Sequence, residues 1–352
     1  MNNVTKNFAD QELKNCSFVK TVLMLVIVLY HSILFWGGNW FTGAPVYDSK
    51  VLLYLARWMN SFHIYAFALV SGYLFYFLKH EKQKYDKFLP FVANKSKRLL
   101  IPYVFIAAIW VIPIQWIFFR NSFFEIFKKY ILGTSPSQLW FLLMLFGVFV
   151  IFWPLSNFFK NHNIIGIAVV AFLYCISIVG PIIVPNVLQI WTACAYVPFF
   201  WLGFKMRQYI STGIFGFIRK LPCLVWFLVH ICLFVLGEFL SVYSSSIIFK
   251  MANIGLQFFL HIVGAIMAFQ CFQKLTMLIK PENKLLQSLS NLSMPIYLVH
   301  QQVIYFFIYF LNGVVNPYIN ALINFVGALI VSIFISVLLL KFKATRFLVG
   351  EK

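Results

Sequence analysis

Apolar runs long enough to cross a bilayer recur from one end of this chain to the other, and nothing else restricts its fold as much. A helix needs about 20 apolar residues to cross ~30 Å of hydrocarbon. Ten segments meet that length, at roughly 20–38, 54–78, 98–118, 138–158, 163–184, 188–206, 222–241, 252–272, 291–311 and 319–340. The expected fold class is all-α: a polytopic transmembrane helix bundle of about ten spans. We read it as one membrane domain over residues 1–352, with no soluble domain. Only 11% of residues are charged, against about 25% in soluble proteins.

The formal charge of +19 at first suggests nucleic acid. The placement of the charges excludes that partner, because they sit in short clusters between apolar runs. Such clusters set topology and touch anionic lipid head groups. Of the 28 lysines and arginines, all but Lys50, Arg57, Arg120, Lys128, Lys129 and Lys250 share the side of the N-terminal tail. The positive-inside rule then places both termini in the cytoplasm. Six scattered cysteines show no C-x-x-C or metal spacing, so no metal is expected. The first apolar run is long for a signal peptide and lacks an A-x-A-like site, which marks it as a retained span.

Four constellations can carry chemistry. Lys20 and His31 lie eleven residues apart, about 1100° of helical rotation, hence on one stripe and ~16 Å apart along the axis. A neutral imidazole in a protein-lined cavity is a general base for a hydroxyl or thiol. The structural reading is a buried histidine bonded to a neighbouring helix. Lys95, Lys97 and Arg98 form a basic knot where the third span leaves the cytoplasm. It suits the phosphates of a nucleotide-like ligand, or it simply anchors topology. Phe62-His63 leads to Ser71-Gly72-Tyr73, where the small pair Ser71-Gly72 lets two helices approach closely. Finally, Pro295 precedes Tyr297 and His300 in the ninth span, and is expected to open that helix near its start.

Intramembrane ionisable groups are functional candidates by default. Besides those above, the spans hold His230, His261 and Glu238, the last near an outer end where it can reach water. His80 and His162 are read as loop residues.

Together these pieces resemble the acyltransferase 3 family of bacterial membrane acyltransferases. The resemblance rests on Lys20 with His31, on Phe62-His63 with Phe67 and Ser71-Gly72-Tyr73, on Lys95 to Arg98 followed by Leu99 to Tyr103, and on Ile296-Tyr297-Leu298 with His300. Leu139-Trp140-Phe141-Leu142 also fits, and the match spans nearly the whole chain. Three positions depart: Lys20 and Lys95 stand where the family usually has arginine, and Ser17 where it often has aspartate. Lysine keeps the charge but loses the bidentate fork.

The resemblance implies transfer of an acyl group, usually acetyl, from cytoplasmic acyl-CoA to a hydroxyl of an envelope glycan or lipid-linked saccharide. It implies His31 and Lys20 as catalytic residues, and Lys95, Lys97 and Arg98 as the acetyl-CoA contacts. His63, Ser71, Tyr73, Trp140, Tyr297, His300 and Glu238 are candidates for lining the site. His31 either activates the acceptor hydroxyl or receives the acyl group itself. The competing functions are a transporter or flippase of a lipid-linked saccharide, which inverted repeats with paired broken helices would favour, and a polysaccharide polymerase. Neither those repeats nor the long arginine-rich outer loop expected of a polymerase is found in the sequence.

Overall fold

The structure, a computed structural model, describes residues 3–38, 43–117, 122–134, 137–242, 247–279 and 283–351. Of the charges used above, Arg120, Lys280 and Lys352 lie outside the described residues. Among the described residues fifteen α-helices follow one another: α1 (Asn3–Ile33), α2 (Lys50–Asn60), α3 (His63–Tyr76), α4 (Phe88–Ile106), α5 (Ile112–Ile117), α6 (Phe123–Leu132), α7 (Trp140–Asn161), α8 (Asn163–Ile183), α9 (Ile190–Gln208), α10 (Gly213–Lys220), α11 (Cys223–Val242), α12 (Ile247–Leu278), α13 (Lys284–Leu311), α14 (Pro317–Lys341) and α15 (Lys343–Leu348). No strand occurs among the described residues. Ten helical segments there are long and apolar enough to cross a membrane. They coincide with the ten expected spans, and the chain is a multi-pass membrane protein.

Boundaries differ where polar residues continue a helix beyond its apolar stretch. α1 starts at Asn3 and α4 at Phe88, inside segments read as tail and loop. Lysine, arginine and glutamate are good helix formers, so loss of hydropathy does not mean loss of helix. Pro295 does not open its helix: α13 begins at Lys284 and runs through it. Proline removes a single backbone bond, and packing on both sides keeps the helix continuous. His80 lies not in a loop but in a π-helical turn, Phe77–Glu81, that prolongs α3.

The chain divides into two compact units. The first comprises Met1–Tyr30, Leu53–Phe77 and Phe199–Asn291. In it α3 packs on α12, α12 on α11, and α3 on α9. The α3–α9 contact is backbone to backbone. A Cβ on Gly72 would stand 1.9 Å from the Phe200 carbonyl oxygen, and one on Gly203 1.9 Å from that of Leu69. Small residues allow this approach where there is no hydrophobic force to drive helices together.

The second unit comprises His31–Leu52, Leu78–Pro198 and Leu292–Lys352. Here α4 packs on α7, α7 on α8, and α15 on both α14 and α4. α13 carries a long buried stretch from Pro295 to Tyr305.

Candidate functional site

The second unit brings together two imidazoles far apart in sequence. His31, near the end of α1, and His300, in mid-α13, stack with ring centroids 5.0 Å apart and planes 23° from parallel. Nδ1 of His31 is 2.7 Å from Nε2 of His300. His300 is fully buried and His31 half-buried. Nδ1 of His300 lies 2.8 Å from the Tyr297 carbonyl oxygen and 3.2 Å from that of Ile296.

Neighbouring elements hold this pair in place. Gln138 and Gln302 exchange side-chain hydrogen bonds, Gln138 Nε2 to Gln302 Oε1 at 2.7 Å and the reverse at 3.2 Å. Gln138 Nε2 also donates to the Leu298 carbonyl at 3.0 Å, and the Tyr297 hydroxyl donates to the Gln138 carbonyl. Trp110 Nε1 donates to the Val299 carbonyl at 3.1 Å. Asn324 Nδ2, on α14, donates to the Ser32 carbonyl at 3.1 Å and fixes the turn after His31. Inside a membrane, buried amides demand such partners. Trp140, at the start of α7, instead faces Tyr196, ring to ring at 6.0 Å. Gln138, Gln302 and Asn324 were not singled out from sequence. The signal was present in Gln301-Gln302, two consecutive amides in an apolar span.

In the first unit, His63 and His230 surround a break in the second span, between α2 and α3. The Ser61 hydroxyl donates to the Trp58 carbonyl at 2.6 Å, competing with the helix's own backbone bonds. Nδ1 of His63 donates to the Met59 carbonyl at 2.6 Å. Trp58 Nε1 donates to Nδ1 of His230 at 3.2 Å, so the His230 proton is on Nε2, which donates to Ser61 Oγ at 3.0 Å. His230 therefore has no lone pair aimed at Ser61, and the two are not a nucleophile and base. Ser61 and His63 satisfy carbonyls of the broken helix, and His230 holds the Ser61 hydroxyl in place. His261 stacks on Tyr65 at 3.9 Å between centroids.

The remaining candidates of this unit are dispersed. Lys20 sits with Nζ 5.8 Å from the centre of the Phe67 ring. Ser71 is buried beside Gly72, and its hydroxyl has no hydrogen-bond partner among the described residues. Tyr73 belongs to a buried ionic network: its hydroxyl donates to Glu12 at 2.6 Å and accepts from Arg207 at 3.0 Å, and Arg207 meets Glu12 at 3.2 Å. Glu238 pairs with Arg57 at 2.8 Å. Glu12 and Arg207 were missed because each lies at the polar edge of a span, where charge is ordinary in sequence. A polar cleft of about 250 Å³ opens between α1 and α13, lined by Lys14, Ser17, Thr21, Gln287, Ser290 and Asn291 among others. The Ser17 and Ser290 hydroxyls meet across it at 2.6 Å.

The basic knot on α4, in the second unit, is not uniform. Lys95 Nζ lies 3.9 Å from the Phe149 ring centre, with Tyr85 and Phe91 at 5.2 and 5.4 Å. This aromatic box engages its charge by cation–π attraction. Lys97 and Arg98 are exposed. The C-terminal turn rests on the Arg98 backbone: Gly350 has φ +81°, and a Cβ there would lie 2.8 Å from the Arg98 carbonyl oxygen. Burial holds the Glu351 carboxyl above the usual carboxylate range, with the charge of Arg98 opposing that rise.

All six cysteines are outside disulfides. Among the described residues no cluster of histidine, cysteine or acidic side chains is arranged to hold a metal. No curated protein and no solved structure matches the chain. The family model described as an acyltransferase domain, Acyl_transf_3, matches residues 15–341. That stretch contains every residue of the His31–His300 environment, and the chain belongs to the acyltransferase 3 family of membrane acyltransferases.

Proposed function

We propose that this protein transfers an acyl group, most simply acetyl, from cytoplasmic acyl-CoA to a hydroxyl of a cell-envelope glycan or lipid-linked saccharide, within the cytoplasmic membrane. The observation that carries this reading is the contact of His31 with His300 at 2.7 Å, inside a shell of bonded amides. Two imidazoles in direct contact within an apolar span form a proton-handling device.

In the proposed reaction the acceptor hydroxyl gives its proton to a ring nitrogen of His31. Its oxygen attacks the thioester carbonyl, the carbon–sulfur bond breaks, and the coenzyme A thiolate leaves and takes up the proton. General-base help of this kind lowers a barrier by ~3–5 kcal/mol, or ~10²–10⁴-fold in rate. Lys97 and Arg98, exposed on α4, offer cations to the donor's phosphates. Lys95, boxed by aromatic rings, contributes positive potential rather than a direct ligand. Lys20 supplies a further cation on α1.

The test is purified protein in detergent with acetyl-CoA and envelope glycan, read by release of coenzyme A and by the acetyl mass added to the glycan. Acetylated glycan from the parent, and none from His31→Ala, supports the function. Turnover of neither substrate refutes it.

A further inference from the structure

The hydrogen-bond geometry at His300 fixes where the protons of the two imidazoles reside. A carbonyl oxygen only accepts. Nδ1 of His300 faces two of them, Tyr297 at 2.8 Å and Ile296 at 3.2 Å, so it carries a proton. The ring is fully buried in an apolar span, where a cation is costly, so it is neutral and its Nε2 is bare. Nε2 of His300 lies 2.7 Å from Nδ1 of His31. A bare nitrogen can only accept, so Nδ1 of His31 carries a proton and donates it. The lone pair of His31 is then on Nε2.

From this we infer that His300 is the positioning residue of the reaction: it selects the tautomer of His31 whose Nε2 is the base. The inference rests on the acyl-transfer reading for its kinetic part only. The chain of donors runs from Nδ1–H of His31 to Nε2 of His300, and from Nδ1–H of His300 to the carbonyls of α13. When Nε2 of His31 takes the acceptor's proton, the ring becomes a cation. Its bond to His300 becomes charge-assisted and shortens. The proton on Nδ1 of His31 stays on His31, because a cation on the fully buried His300 ring is costly. Proton count is conserved throughout: one leaves the hydroxyl for Nε2 of His31, and the same nitrogen returns one to the departing thiolate.

Gln138, Gln302 and Trp110 tie down the helix around His300 and so fix its ring. Asn324 does the same for the chain just after His31. A second histidine here fixes the tautomer of the base, as a carboxylate does in other triads, with no buried negative charge to desolvate.

The experiment uses the full-length protein in detergent micelles with ¹⁵N-labelled histidine. Ring-nitrogen chemical shifts separate protonated from bare nitrogens. The expected result for the parent is a His31 signal with Nδ1 protonated and Nε2 bare, assigned by its loss in His31→Gln. In His300→Ala the His31 ring should lose this fixed preference and show a mixture of tautomers. His300→Gln keeps an acceptor oxygen and should restore it. Kinetics run in parallel: His300→Ala should lower kcat ~10²-fold or more with little change in the KM for acetyl-CoA, and His300→Gln should recover at least tenfold of that.

An unchanged His31 tautomer in a folded His300→Ala variant overturns the inference. So does a glutamine variant no better than alanine. If the parent shows the expected tautomer but never turns over acyl-CoA, the acyl-transfer reading fails while the assignment of the protons stands.

Discussion

Gly72 on α3 and Gly203 on α9 each press into the other helix's backbone, so that a Cβ on either would sit 1.9 Å from a carbonyl oxygen. The partner atoms are main chain, which cannot swing aside as a side chain does. Gly72→Ala and Gly203→Ala should therefore each destabilise the protein by ~1–3 kcal/mol or more. The control is Gly255→Ala on α12, where the added methyl meets none of the described residues within 4 Å. Thermal unfolding in detergent should show both contact variants falling and the control holding. Equal behaviour of all three would show that α3 and α9 do not meet in this way.

Arg207, Glu12 and Tyr73 should behave as one unit. Arg207→Met leaves the Glu12 carboxylate largely buried without its cation, which costs ~3–5 kcal/mol. Adding Glu12→Gln removes the stranded charge and should restore most of the loss. If the double variant is as unstable as the single, the ion pair is not what Arg207 contributes.

His31→Ala should lower acyl transfer ~10²–10⁴-fold while the protein stays folded in the membrane. His31→Gln keeps hydrogen bonding but cannot take a proton, and should be equally inactive. A glutamine variant near the parental rate would make His31 a packing residue.

Charges near the donor's phosphates should act through binding. Lys97→Ala and Arg98→Ala should each raise the KM for acetyl-CoA about two- to fivefold, as expected for exposed charges, and added salt should do the same to the parent. Glu351→Gln should lower that KM, because it removes the carboxylate that faces Arg98. Lys95→Met should leave KM closer to parental, since its ammonium is occupied by aromatic rings. KM values indifferent to Lys97→Ala, Arg98→Ala and Glu351→Gln would make the knot a topology anchor alone.

Topology can be read independently of activity. Reporters fused at Lys84 and Arg219 should score cytoplasmic, and at Lys128 and Asn186 external. A cytoplasmic score at Lys128 would invert the third and fourth spans and remove the basis for the cytoplasmic donor.

The number and position of the spans were legible in the sequence because hydropathy is local and a bilayer has fixed thickness. His31 and His300 also stood out, since a titratable ring in an apolar run is costly wherever the chain folds. The small pair Ser71-Gly72 points to close packing, and Gly72 does pack against the Phe200 backbone. Local chemistry could not say which histidine meets which. His63 and His230 are intramembrane imidazoles like His31, yet His63 bonds a carbonyl at a break in the second span and His230 holds the Ser61 hydroxyl there, while His31 and His300, 269 positions apart, share a hydrogen bond. Nor could it separate Lys95 from Lys97 and Arg98, because the aromatic box needs Phe149 from another helix. Span identity is a property of about twenty consecutive residues against lipid. Proton placement and charge pairing depend on atoms within ~3 Å of each other, and only the packing of distant helices decides which atoms those are.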